Sequence, residues 1–200
     1  MSESYSMTYG FDLAYEVPDG WAENRSNADA IGLSRGDGVR TYVLLVLQSR
    51  PLSGSLADTY SVLWRDILLG MFTSDIKPLP MQLRLKSGYA LAFDGGNMKM
   101  NTGESTFVVF YVIAAEDRAV PIIGVYNGWD ESLEITMRNF FDTATIRGSS
   151  PAKAPLFTEA QMVGKWSLSC HAGPCQVNGT RVSEWMFVIS TPSKGGRRGF

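Results

Sequence analysis

FVVFYVIAA, residues 107–115, carries no charge and no turn former over its whole length. It is far short of the ~20 apolar residues that a membrane-spanning helix needs. An apolar run of this length suits a strand covered on both faces, because a half-solvated strand would alternate with polar residues. Two further stretches have the same character, TYVLLVLQS (41–49) and VPIIGVY (120–126). Around them lie shorter strand candidates, MQLRLKS (81–87), GYALAF (88–93) and AIGLS (30–34). Near the start, YGFDLAYEVPDGW (9–21) alternates at Phe11, Leu13, Tyr15 and Val17, which predicts one half-buried strand. Pro18, Asp19 and Gly20 then predict a turn.

Two amphipathic helices interrupt the strands. In SLADTYSVLWRDILLGMF (55–72), Leu56, Tyr60, Leu63, Trp64, Ile67, Leu68 and Met71 fall on one helical face. Ser55 is a natural N-cap, with Asp58 three residues on as a weaker stand-in for the usual Glu of a capping box. In WDESLEITMRNFFDTA (129–144), Leu133, Met137, Phe140, Phe141 and Ala144 repeat in the same way, and Asp130 can cap the start. Both stripes predict core packing, which makes Trp64 a structural residue. Strands joined by short turns pair antiparallel. A helix on each face accounts for the doubly apolar central strands. The expected fold is therefore α+β, an antiparallel sheet flanked by helices in a three-layer sandwich over residues 5–147.

RGSSPAKAPLF (147–157) breaks this pattern, and its prolines and small polar residues predict a linker over 148–156. The charge changes sign at the same place. Residues 1–147 carry 12 Lys+Arg and 18 Asp+Glu, net -6, and residues 148–200 carry 6 and 2, net +4. A net charge of -2 for the whole chain argues against a general nucleic-acid binder. With 44% hydrophobic and 19% charged residues the chain can bury a core. MSESYSMTYG (1–10) has neither the basic start nor the apolar stretch of an export signal. The chain as written is thus expected in the cytoplasm, or outside the cell if a signal has been removed. No membrane span is expected.

Residues 157–200 predict an incomplete β-type segment, with strands near Trp166 and in EWMFVIS (184–190), and a Gly-rich basic tail, TPSKGGRRGF (191–200), that reads as disordered. Within it, SCHAGPC (169–175) holds both cysteines and the single histidine of the chain. Structural zinc wants four ligands in closely spaced pairs, and a second Cys or His pair is missing from the sequence. A thioredoxin-type motif needs C-x-x-C at a helix start, whereas Ala172, Gly173 and Pro174 predict a turn. Cys170 and His171 are neighbours, and on a strand their side chains diverge. A local Cys170–Cys175 disulfide or two free thiols remain, with no metal and no cofactor expected. SPAK (150–153) lies in the linker, and GLSRG (32–36) spells G-x-S-x-G but fails on context, since its serine belongs to the strand candidate AIGLS and not to a strand-to-helix turn. FDGGN (93–97) has turn glycines without a helix behind them, so it predicts no phosphate loop. Asn178-Gly179-Thr180 is a glycosylation sequon that matters only in a secretory pathway. No acid, base and nucleophile cluster emerges, and catalysis is not expected.

FDLAYEVPDGW (11–21) resembles the start of the PsbP-like superfamily, which includes the PsbP extrinsic protein and the Ran-binding Mog proteins. The resemblance covers about residues 5–147, and its most specific part is the turn with Pro18, Gly20 and Trp21. It implies an antiparallel sheet between helices and a non-catalytic role in binding another protein. Gly164, Lys165 and Trp166 resemble the G-x-W opening of lipocalin-like domains. That resemblance implies a structural role for Trp166 at the closed end of a barrel. A barrel that encloses a ligand needs about eight strands, more than residues 157–200 can build. The expected function is accordingly a protein-interaction or accessory module, the alternatives being a carrier of a small apolar ligand or an unrecognised enzyme.

Overall fold

The computed structural model describes residues 7–128, 131–151, 167–169 and 188–190. The chain divides into two units, Met1–Leu156 and Phe157–Phe200. In chain order the first contains β1 (Thr8–Gly10), β2 (Leu13–Tyr15), β3 (Ala22–Asn24), β4 (Ala30–Gly36), β5 (Thr41–Leu47) and β6 (Arg50–Pro51). Next come α1 (Leu56–Leu63), a π-helical turn (Trp64–Leu68) and a last short turn α2 (Leu69–Met71). There follow β7 (Phe72–Thr73), β8 (Met81–Arg84), β9 (Ala90–Met100), β10 (Ser105–Ala114), β11 (Arg118–Asn127), α3 (Glu131–Thr143) and β12 (Thr145–Ile146).

The apolar run at 107–115 lies in β10, in the middle of the larger sheet. That sheet runs β3-β4-β5-β11-β10-β9-β7, with β6 also on β11 and β8 also on β9. Its described pairings are antiparallel. β1, β2 and β12 form a separate small sheet. The fold is α+β on an antiparallel sheet.

Side chains of β10 leave the strand alternately to its two faces. Val108, Phe110 and Val112 pack with Tyr60, Leu63, Trp64 and Leu68 of the α1 segment. Tyr111 meets Phe141 of α3 at 4.7 Å between ring centroids, and Tyr126 of β11 reaches Met137 of α3. β10 is covered on both sides, and its seven residues from Val108 to Ala114 are all buried, whereas Thr106 and Phe107 are half-buried and Ser105 is exposed at its start. β5 differs. Tyr42, Leu44 and Val46 are buried, whereas Val43, Leu45 and Leu47 are half-buried.

α1 starts where its sequence predicts. Ser55 accepts from the Asp58 amide at 3.1 Å, and the Asp58 side chain accepts from the Ser55 amide at 3.3 Å, a complete capping box. Tyr60, Leu63, Trp64 and Leu68 are buried as expected, but Met71 is 40% exposed. The π turn explains the departure. Its i→i+5 bond, from the Leu69 amide to the Trp64 carbonyl, spends an extra residue and rotates Met71 off the stripe. The α3 stripe shows no such shift, and Leu133, Met137, Phe140, Phe141 and Ala144 are all buried. The cap assigned to Asp130 lies outside the described residues.

Two readings of the sequence are corrected. The alternating stretch 11–17 is not one strand. It breaks at Phe11 and Asp12, where β1 turns into β2 with Gly10 opposite Leu13. Phe11 adopts φ 52, a left-handed conformation that costs a bulky residue strain. FDGGN does not turn either, since all five residues run within β9. Glycine in a strand marks close backbone approach. A Cβ on Gly95 would lie 2.3 Å from the Val108 carbonyl oxygen.

The outer edge of β9 is divided. β8 pairs with Ala90–Phe93 and β7 with Lys99–Met100. Between them the segment 74–80 crosses the edge. Its Leu79 amide donates to Asp94 Oδ2 at 2.7 Å, and Ile76 fills the space over Gly96.

The stretch predicted as linker begins attached to the sheet. Ser149 and Ile146 carbonyls accept from the Tyr89 hydroxyl, at 2.7 and 3.2 Å, the Glu116 amide donates to the Ser150 carbonyl, and Pro151 bridges to Ala115. Residues 152–156 lie outside the described residues. In the second unit, β13 (Ser167–Ser169) pairs antiparallel with β14 (Val188–Ser190).

Candidate functional site

Of the residues singled out in the sequence, Pro18, Gly20 and Trp21 form a tight turn. The Trp21 amide donates to the Pro18 carbonyl at 3.0 Å, and Gly20 takes φ 75, the conformation that a type II turn requires at its third residue. The turn lays the Trp21 ring against Tyr42, stacked at 6.5 Å. Trp21 and Trp64 are both buried, and neither indole nitrogen has a hydrogen-bond partner among the described residues. Both tryptophans are packing residues. Trp166, Cys170 and Cys175 lie outside the described residues, as do His171, Gly164 and Lys165.

The richest convergence of polar groups lies at one end of the sheet, and no motif announced it. The β1–β2 turn brings Asp12, the end of β5 brings Ser49, the β10–β11 turn brings Asp117 and Arg118, and the chain after β12 brings Ser149. Arg118 joins the two carboxylates, with Nη1 3.4 Å from Asp12 Oδ2 and Nη2 2.8 Å from Asp117 Oδ2. Ser49 donates to Asp12 and Ser149 to Asp117. The Arg147 amide donates to the Asp12 carbonyl at 2.7 Å. Hydrogen bonds from Arg118 and then Ser149 hold the Asp117 carboxyl down at about 2. Such a carboxylate is a poor proton acceptor, so it does not turn its serine into a nucleophile. Each hydroxyl and each charge of this group is answered within the group. The cluster fastens four chain segments and secures the strained Phe11 turn.

A second cluster joins β1, β2 and β3. The Tyr15 hydroxyl donates to Glu23 at 2.8 Å, Arg25 donates to the same carboxylate and to the Tyr9 carbonyl, and Arg147 lies over the Tyr9 ring at 4.8 Å. Burial, and then the Glu23 carboxylate, push the Tyr15 phenol well above its ordinary range. Burial pushes Glu23 up, but hydrogen bonds from Arg25 and Tyr15 outweigh it and leave that carboxyl lowered. Here too the groups satisfy one another.

On the α3 side of the sheet two phenols meet in the core. Tyr111 and Tyr126 hydroxyls are 3.1 Å apart, with Met137 Sδ 3.6 Å from Tyr126. Burial raises both phenols, so both stay protonated and can act only as hydrogen-bonding groups. No group of three His, Cys, Asp or Glu among the described residues could hold a metal ion. No helix among them is long and apolar enough to cross a membrane.

The described surface also carries exposed apolar side chains. Val62, Leu69 and Met71, on the helical segment from α1 to α2, are 44%, 39% and 40% exposed. They flank Arg65 and Asp66, which are paired with each other at 2.7 Å. Sequence reading missed this face, because periodicity marks the buried side of a helix and the π turn cannot be foreseen from it.

No protein-family model and no curated protein matches the chain. Among solved structures, a protein of Bacteroides thetaiotaomicron VPI-5482 aligns with 68% of this chain and 45% of its own, at 9% identity and a TM-score of 0.44. LpqN, involved in cell envelope biogenesis of Mycobacterium tuberculosis, aligns with 68% of this chain and 83% of its own, at 15% identity and a TM-score of 0.43. The chain spans less than half the length of the first of these. Likeness at this level transfers neither fold nor function.

Proposed function

We propose that this chain is a non-catalytic protein-interaction or accessory module that binds another protein through the outer face of the helical segment 56–71. The observation that carries this reading is the exposure of Val62, Leu69 and Met71 on a helix whose inner face is already filled by the core. Apolar side chains left on one helical segment mark a surface for a partner, and methionine adapts its shape to one. The described clusters of chemistry-bearing groups satisfy themselves, which leaves binding as the simpler role. α1 on one face of the sheet and α3 on the other support the three-layer sandwich, and with it the PsbP-like resemblance through Pro18, Gly20 and Trp21. The reading of residues 157–200 as the start of a lipocalin-like domain is part of the same proposal.

The test is a photo-crosslinking residue placed at Leu69 of the full chain in its native cells. A discrete protein adduct is expected, together with its loss in the Val62→Asp, Met71→Asp double variant at unchanged thermal stability. An adduct that survives the double variant, or no adduct, overturns the proposal.

A further inference from the structure

We infer that Asn127–Gly128 is a site of spontaneous covalent modification in the folded protein, where the asparagine amide is lost and an acid takes its place. The reaction needs an asparagine followed by a residue whose backbone nitrogen can reach the side-chain carbonyl. That nitrogen attacks Asn127 Cγ and forms a five-membered cyclic imide. The bond from Cγ to the side-chain nitrogen breaks, and ammonia leaves with the proton given up by the Gly128 amide. Water then opens the ring at either carbonyl, leaving aspartate or its β-linked isomer. No oxidant, metal or second protein enters the balance.

Several observations favour this pair over the other described asparagines. Asn127 is the last residue of β11, opposite Thr41 at the start of β5, and both Asn127 and Gly128 are exposed. Gly128 has φ 93, open to glycine and strained for other residues, and carries no side chain of its own to obstruct its nitrogen. Asn24 and Asn27 each accept a backbone amide at 2.8 Å, from Ser26 and Asp29. No such bond holds the Asn127 side chain among the described residues. Asn97, Asn101 and Asn139 precede Met, Thr and Phe, whose side chains obstruct the attack. The Arg40 side chain runs alongside, with its Cγ 3.2 Å and its Nε 3.7 Å from the point where a Gly128 Cβ would stand. The change is irreversible without repair and makes the acidic first unit one charge more negative, so it records the age of each molecule.

The test is incubation of the folded full chain at mildly alkaline pH, followed by tryptic mass mapping and enzymatic methylation of β-linked aspartate. Peptide 119–138 has one amide side chain, Asn127, so a gain of about one dalton there reports this site. Strand ends open at small free-energy cost, so the folded rate should lie within about tenfold of the rate in denaturant. Asn127→Gln, whose ring would need a sixth atom, should abolish the gain. A folded rate slower than that limit, or a gain that persists in Asn127→Gln, overturns the assignment.

Discussion

On the α1 face of the sheet, Tyr60, Trp64 and Phe110 meet ring to ring at 5.4–6.1 Å, and the Tyr60 hydroxyl donates to the Phe110 carbonyl at 3.0 Å. On the α3 face, Tyr42, Tyr111 and Tyr126 crowd together, and two hydroxyls answer each other across neighbouring strands. Both faces are aromatic, but they are secured by different means. The first depends on volume, with its one tyrosine tied to main chain. The second depends on a bond between two side chains and on the room that Gly124 leaves for one of them. Disturbing volume should therefore hurt the first face most, and disturbing one partner should hurt the second.

The largest effect is expected at Trp64, which is 1% exposed. Trp64→Ala should lower unfolding free energy by about 3–5 kcal/mol in a denaturant titration, as emptying a buried aromatic site does. A loss below about 1 kcal/mol would mean that the α1 face tolerates a void, and the contrast between the faces would collapse.

Gly124 comes next. A Cβ there would sit 2.2 Å from the Tyr126 hydroxyl oxygen, so Gly124→Ala must displace the ring. A cost of about 1–3 kcal/mol is expected, the usual range for overpacking. Adding Tyr126→Val, which removes the obstructing ring, should make the alanine nearly neutral against a Tyr126→Val background. If the alanine costs the same in both backgrounds, the α3 face is not organised around that ring.

Tyr126→Phe should cost about 1–2 kcal/mol, since it leaves the Tyr111 hydroxyl buried without its partner. The double change with Tyr111→Phe should cost less than the two single changes added together, because the second removes the stranded group. Strict additivity would show that the two hydroxyls do not depend on each other.

How legible these features were follows from what each rests on. Trp64 and the α3 stripe were legible because burial imposes a helical period on sequence. β10 and β11 were legible because a strand covered twice has nowhere to put a polar residue. The Tyr111–Tyr126 pair was not, since pairing register, not spacing, brings residues fifteen apart together. The sheet-end cluster was hidden for the same reason, with Asp12, Ser49, Asp117 and Ser149 drawn from four distant segments. Phe11 was misread because its alternation with Leu13 and Tyr15 mimics a strand, and a left-handed phenylalanine has no local signature. Met71 was lost to a π turn that shifts phase without changing composition.

The smallest effect concerns that cluster, which belongs to neither face. The Asp117 carboxyl sits at about 2 in the folded chain against an ordinary 3.8. Its folded value is depressed, so its stabilisation is present above the ordinary value and is lost as pH falls from about 4 toward 2. Asp117→Asn should flatten the stability profile in that window and leave it unchanged near neutrality in shape. An unaltered acid limb would assign the acid sensitivity to other carboxylates.

The divided edge of β9 has a consequence for how the molecule behaves in a crowd. A long open strand edge is a template on which a neighbour can lay its own backbone, the first step toward fibrils. Here that edge is cut into two short pieces, and between them lies a segment with Pro78 and Pro80, residues that cannot donate to a ladder. At the opposite end β3 is three residues long, with the Glu23–Arg25 ion pair upon it. Among the described residues, a sheet this apolar at its centre is thus finished at both margins by short pieces, which offer another copy little edge to pair with.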